Sequence, residues 1–389
     1  MQRSLKRELQ DYVDSLRESG KDLASVSAAA FSKARKKLRY TAFVELIDVF
    51  TASHYRYGEN LRHWKGYRVL ATDGSTVEVP NTPDNLALWG TFKQRGDGKK
   101  VCMARTLEVY DVLNRLVVAA DIDGPAKSES GLLWGLMPKL ANLPQAWEGA
   151  GDLFVFDRYF ASHLLIFYLH ACNKDFCFRM KKDWWKVCES FLNSGMESMV
   201  FTLGLPKKYM GQADGLGIMD RKIQVRLVRI ELEGGETEVL LTSLTDEGKV
   251  TVADLKVLYH LRWPIETRFL MLKHRVQLEN FSGKSINAVK QDYFAKILML
   301  NIASAVANPI DALLRDKPKK KYVHQTNFTN VVGIMKKAVV EWFLKGNLKQ
   351  SLDKMIGYLL KTTEPIREGR KFQRPKLQKR KYHRNYCQA

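Results

Sequence analysis

Two short apolar runs, each closed by an aspartate, do most to limit what this chain can fold into. Val69-Leu70-Ala71-Thr72 leads to Asp73, and Leu153-Phe154-Val155-Phe156 leads to Asp157. Short apolar runs bounded by turn residues suit strands buried on both faces. Around them lie β-rich runs over 101–124, with Val112 to Arg115 as a hairpin turn, helical stretches over 130–143 and 162–172, and a further strand over 174–180. Three strands, a helix, a strand, a helix and a strand make a mixed sheet flanked by helices, an α/β architecture. Open α/β sheets bind ligands at the carboxyl ends of their strands, so Asp73 and Asp157 are candidates for one convergent point. Two carboxylates so placed repel each other unless a cation lies between them. The plainer alternative for each is the cap of a turn or of the following helix.

The charge balance speaks to the partner. The chain's 389 residues hold 63 Lys and Arg against 42 Asp and Glu, a formal net charge of +21. Such an excess repels itself in a compact fold and points to a polyanion, either nucleic acid or an anionic membrane surface. No uninterrupted apolar run is long enough to span a bilayer, and the charged start MQRSLKRELQ is unlike a signal peptide. The five cysteines form no CxxC pair, and the eight histidines form no HxH or HExxH pattern. The cysteines read as buried thiols in a reducing compartment. A bound metal would have to be held by carboxylates, which favours a hard ion such as Mg²⁺ or Mn²⁺.

A third acid strengthens the case. Tyr259, Arg262, Glu266 and Lys273 stand at offsets 0, 3, 7 and 14, which on a helix at roughly 100° per residue fall within about 60° of one another. A carboxylate ringed by three donors suits a site holding both a metal ion and a phosphate, with Glu266 as ligand and Arg262 and Lys273 on phosphate oxygens. The bland alternative, an intrahelical ion-pair ladder, does not account for the phenol. Pro264 should kink or start the helix there, which would loosen the angular argument for Tyr259 and Arg262.

The rest of the chain divides by composition. Residues 1–65 read as a helical DNA-binding unit, with Ser27 as a helix cap and Lys33, Arg35, Lys36 and Lys37 on one polar side. Residues 66–182 form the first part of the core, 183–252 a β-rich insertion, 253–310 the second part of the core, and 311–389 a helical C-terminal region, with a loop expected around Pro309. The segment from Lys361 onward carries ten Lys or Arg and two Glu, and reads as a basic arm that orders on a partner.

At these residues the sequence resembles a family. Tyr259, Arg262, Glu266 and Lys273 match the YREK spacing of the insertion sequence family 4 transposases. ATDGSTVEVPNTPDN is similar to that family's first Asp block, FDRYFAS to its second, and EPIREGRKFQRPK to its basic tail; the likeness spans residues 25 to 375. One departure is Tyr159-Phe160, where many members have Gly after Asp-Arg. The resemblance implies an RNase H-like catalytic core interrupted by an all-β insertion, and a catalytic and metal-binding triad of Asp73, Asp157 and Glu266. It implies two Mg²⁺ ions, replaceable by Mn²⁺, about 3.5–4 Å apart around the scissile phosphate. It further implies nicking, hairpin formation, hairpin opening and strand transfer by a homodimer on inverted-repeat ends and target DNA, in the cytoplasm on the nucleoid. Tyr259, Arg262, Lys273 and Arg158 would grip the DNA near the cut, with Arg35 and Lys36 of the N-terminal helices further out. A flipped base would need an aromatic ring to stack on, for which Trp263, Trp184 and Trp185 are candidates against plain packing. A catalytically inactive DNA-binding relative and a nuclease without strand transfer are the alternatives.

Overall fold

The computed structural model describes residues 5–18, 26–58, 60–93, 100–182, 185–231, 235–274, 276–316, 322–345 and 348–367. Three helices open the chain: α1 (Leu5–Glu18), α2 (Ala28–Arg35) and α3 (Thr41–Tyr57). Then come β1 (Tyr67–Glu78), α4 (Pro83–Trp89), β2 (Thr91–Lys93), β3 (Lys100–Asp111), β4 (Leu116–Asp123), α5 (Glu129–Ala141), β5 (Gly151–Phe156), α6 (His163–Ala171) and β6 (Asp175–Met180). The insertion holds α7 (Lys186–Asn193), β7 (Ser198–Gly204), a 3₁₀ turn, α8 (Met210–Gly215), β8 (Lys222–Glu231) and β9 (Thr237–Thr242). The chain returns through α9 (Val252–His260), α10 (Pro264–His274) and α11 (Ile286–Asp316), and ends with β10 (His324–Thr326), α12 (Phe328–Lys345), α13 (Leu348–Lys361) and β11 (Thr363–Pro365).

Among the described residues nine strands share one mixed sheet, in the order β2-β3-β1-β5-β6-β9-β8-β7 with β4 also paired to β3. β1 runs antiparallel to β3 and parallel to β5, and β5 runs parallel to β6. This is the mixed α/β arrangement expected, a sheet flanked by helices. The insertion's three strands continue the same sheet, because β9 pairs antiparallel with β6, and two short helices accompany them.

Alternation along the strands sorts the core into two faces. Val69, Ala71, Val155 and Cys177 pack with Leu258, Ile265, Phe269, Leu272 and Ile297 of α9, α10 and α11. Leu70, Phe154, Phe156 and Phe178 pack on the other side with Leu132 and Leu133 of α5 and Ile166 of α6. Ser27 caps α2 by accepting the Ala30 N–H at 3.1 Å, as its position predicts. α3 lies on the body, burying Ile47, Thr51 and Tyr55, and the Tyr55 hydroxyl donates to Asp111 at 2.8 Å.

Two expectations are corrected. The insertion is not all-β, since α7 and α8 lie within it, and no loop forms at Pro309, which lies inside α11. That helix is also apolar and long enough to cross a membrane by composition alone. It is a core helix here, with Val289, Ile297 and Leu300 in the core shared with the sheet and Asn301 bridging to the backbone of Val117. Cys102, Cys177 and Cys188 are buried and unpaired, and burial pushes the Cys177 thiol up to about 12. The C-terminal segment is placed as far as β11, which pairs with β10; Lys317 to Lys321 and the remainder of the basic tail lie outside the described residues.

Candidate active site

The register of the parallel strands carries the first two acids to one level. β1 and β5 pair from Tyr67↔Gly151 to Thr72↔Phe156, so Asp73 and Asp157 are the next residue on each strand. Asp73 does not end its strand: β1 continues to Glu78 because its partner β3 stays paired alongside. β5 does stop at Phe156, and Asp157 opens a tight turn in which its carbonyl accepts the Phe160 N–H at 3.1 Å. By alternation Asp73 and Asp157 share the sheet face that α9, α10 and α11 cover.

The third acid arrives across a broken helix. Three residues separate the end of α9 at His260 from Pro264, which begins α10, since proline has no N–H to donate and its ring clashes with the preceding turn. The break is a tight passage, with bonds from Arg262 to Tyr259, Trp263 to His260 and Glu266 to Trp263. Arg262 and Glu266 still meet across it, Nη2 to Oε1 at 2.7 Å. α10 is fastened to the sheet by Arg268, whose Nε donates to Glu108 Oε2 at 2.7 Å with both side chains buried. Glu108 is the cross-strand partner of Asp73 on β3. The clamp therefore sets α10, and Glu266 on it, at the level of Asp73.

The electrostatics couple these groups pairwise. Burial pushes the Asp73 carboxyl up to about 6; the negative charges of Glu129 and Glu266 add to this, while the Gly74 N–H and Arg262 oppose it. Burial alone would lower the Arg262 guanidinium, but Tyr259, Glu266 and Asp157 together raise it. Burial raises the Tyr259 phenol, with Asp157 among the charges acting on it. Asp73 thus couples to Glu266 directly, and Asp157 joins through Arg262, Tyr259 and Glu129.

Glu129, at the first turn of α5, is the acid that sequence reasoning missed. Its carboxyl lies against Gly74, so close that a Cβ there would stand 2.5 Å from the Glu129 Cδ. Burial raises its pKa, Arg105 opposes this and Asp157 adds to it. The signal in the sequence was an acid directly after the helix-capping Ser128, a pattern that ordinary capping also produces.

A hard divalent cation fits this donor set. The acids bring only oxygen donors, they repel one another, and burial of Asp73 withholds water that would screen its charge. The Tyr259 hydroxyl and Arg262 Nε are buried with no hydrogen-bond partner among the described residues, polar capacity a bound phosphate would use. No group of three His, Cys, Asp or Glu among the described residues is drawn tight enough to hold a metal ion as it stands.

The other expected residues are placed variously. Lys273 is half-buried on α10, about 10 Å further along the helix than Glu266. Trp263 is 47% exposed with Arg262 against its ring at 5.9 Å. Trp185 stacks on His163 at 3.9 Å and is packed into the body, as the plain alternative had it; Trp184 lies outside the described residues. Arg158 is half-buried beside Tyr159. Lys36 is exposed at the end of α2. Arg35 is committed inward: it donates to Gln291 at 2.6 Å, pairs with Asp292 at 2.7 Å, and also bonds Ser282 and the Ala288 carbonyl. Those bonds tie α2 to α11 and leave Arg35 little to offer DNA.

Residues 64–302 match the transposase DDE domain family. Transposase InsG for insertion sequence element IS4, from Escherichia coli (strain K12), is 23% identical over 281 residues, 71% of this chain and 60% of that protein. The chain thus spans about 60% of the length of this curated relative. Among solved structures, a piggyBac transposase synaptic complex with hairpin DNA aligns over 75% of this chain and 57% of its own, at 12% identity and a TM-score of 0.42.

Proposed function

The chain belongs to the family of DDE transposases, and on that premise we propose that it cuts and joins DNA at the ends of an insertion sequence, with Asp73, Asp157 and Glu266 as its catalytic acids. The observation that carries this reading is the parallel register that brings Asp73 and Asp157 to one level, with the charge of Glu266 acting on Asp73 and Arg262 bonded to Glu266. The three acids would hold divalent metal, Mg²⁺ by preference, which when bound activates the attacking oxygen and stabilises the leaving one.

The chain's own groups do the rest. Arg262 bonds Glu266 and feels the charge of Asp157, and presents donors to a phosphate at the acids. The buried Tyr259 hydroxyl adds a neutral donor. Lys273, further along α10, meets the backbone of the same DNA end, and Arg158 does so beside Asp157. Trp263, exposed next to Arg262, is the ring placed to receive a base turned out of the stack when a strand bends into a hairpin. Nicking, hairpin formation, opening and strand transfer by a homodimer in the cytoplasm complete the proposal. Within it, residues 1–65 and 311–389 serve as DNA-binding and C-terminal units around the core parts 66–182 and 253–310 and the insertion 183–252.

Labelled end DNA incubated with the protein and Mg²⁺ tests the reading. Hairpin and strand-transfer products are expected. Simple cuts alone would make it a nuclease, and binding without cleavage an inactive relative. Replacing Lys273 by Ala should weaken end binding and shallow its salt dependence by about one phosphate contact, with little change in thermal stability. Lost stability with unchanged binding would instead assign Lys273 to an ion-pair ladder.

A further inference from the structure

The turn after Asp157 displays a ring that the scheme above does not use. Tyr159 is 62% exposed, an unusual cost for a phenol three residues past a deeply buried strand. The turn holding it is pinned at both ends. Asp157 accepts the backbone N–H of Arg158, and Phe160 is buried against Phe156 with ring centroids 5.8 Å apart. Phe156 in turn stacks on Phe178 at 4.5 Å. The backbone is fixed while the ring points out, so its exposure is built in.

Cations crowd the ring without covering it. The Arg158 guanidinium lies over the ring 5.5 Å from its centroid and the Lys181 ammonium 5.2 Å from it, yet most of the side chain stays exposed. Beside it runs a cleft lined by Arg158, Arg179, Lys181 and Lys182 against Glu236 and Glu238. Glu238 is neutralised by Arg179 at 2.8 Å, so the balance of charge left in the cleft is positive. An exposed aromatic ring with cations against it is how proteins take unstacked nucleic acid: bases lie on the ring and phosphates on the cations.

We propose that Tyr159 is a stacking platform for an unpaired nucleobase of the strand being cut, with Arg158, Lys181 and Lys182 on its flanking phosphates. The inference rests on the DNA-cutting reading and adds to it a preference for single-stranded over fully paired DNA beside Asp157. The platform stands on the Asp157 side of the site, apart from Trp263 on the helix passage.

The test uses the full chain in EDTA and a single strand of about twelve nucleotides carrying one 2-aminopurine, with the matching duplex in parallel. Wild type should bind the single strand and quench the probe. Tyr159→Phe should do the same, and Tyr159→Ala should bind it roughly five-fold or more weaker and lose the quench, with duplex affinity little changed. Tyr159→Ala that binds and quenches like wild type overturns the platform, as does Tyr159→Phe that behaves like Ala. Both variants alter an exposed side chain, so folding is not at stake. A wild-type protein that bound neither single strand nor duplex would sink the DNA reading itself, a result distinguishable from the other two.

Discussion

Glu266→Gln should abolish cleavage of labelled end DNA while leaving binding of that DNA and the thermal midpoint near wild type. The carboxylate is one-third exposed and paired with Arg262 at 2.7 Å. Gln keeps the shape and an oxygen that accepts from Arg262, so the fold loses one charge-assisted bond near solvent, worth little. Chemistry loses much more. Charge that a bound metal would help stabilise in the transition state is worth several kcal/mol, so a fall of roughly a thousand-fold or more is expected. Cleavage is read on a denaturing gel and binding by mobility shift at several salt concentrations. Normal cleavage by the Gln variant would remove Glu266 from the reacting centre.

Arg268→Ala is the second large effect, and it should appear first in stability. Arg268 is 3% exposed and Glu108 fully buried, so the truncation strands a carboxylate without its counter-charge. Breaking one side of such a pair typically costs about 3–5 kcal/mol. Thermal denaturation should show a clear fall in midpoint, and cleavage should fall with it as α10 loses its fastening to β3. Replacing both partners by apolar residues, Arg268→Met with Glu108→Leu, should recover most of the lost stability, because no charge is then left alone. A single variant as stable as wild type would mean that apolar packing by Ile265, Phe269 and Leu272 docks α10 without the clamp.

The two predictions separate what the sequence disclosed from what it concealed. Asp157 and the four spaced residues from Tyr259 to Lys273 were legible because apolar runs and helical spacing are local patterns. β1 was read too short: polar residues after Asp73 look like a turn, yet pairing with β3 carries the strand to Glu78. The angular argument across Pro264 met a real break, and the Arg262–Glu266 bond survives it by tertiary placement. Arg35 looked like one of a row of surface cations, and only the approach of α11 shows it turned inward. The Glu108–Arg268 clamp joins residues far apart in the chain, as does the contact of Glu129 with Gly74. No periodicity records such meetings.

The joining of β9 to β6 also sets an order of events for a polypeptide leaving the ribosome. Both aspartates are made before β6 is complete, yet one margin of β6 stays bare until Thr237–Thr242 emerges to cover it. Only then is α10 synthesised, bringing Glu266. A product terminated before α10 therefore keeps both aspartates and the strands that carry them but lacks Glu266, so on the proposed function it would bind DNA without the third acid.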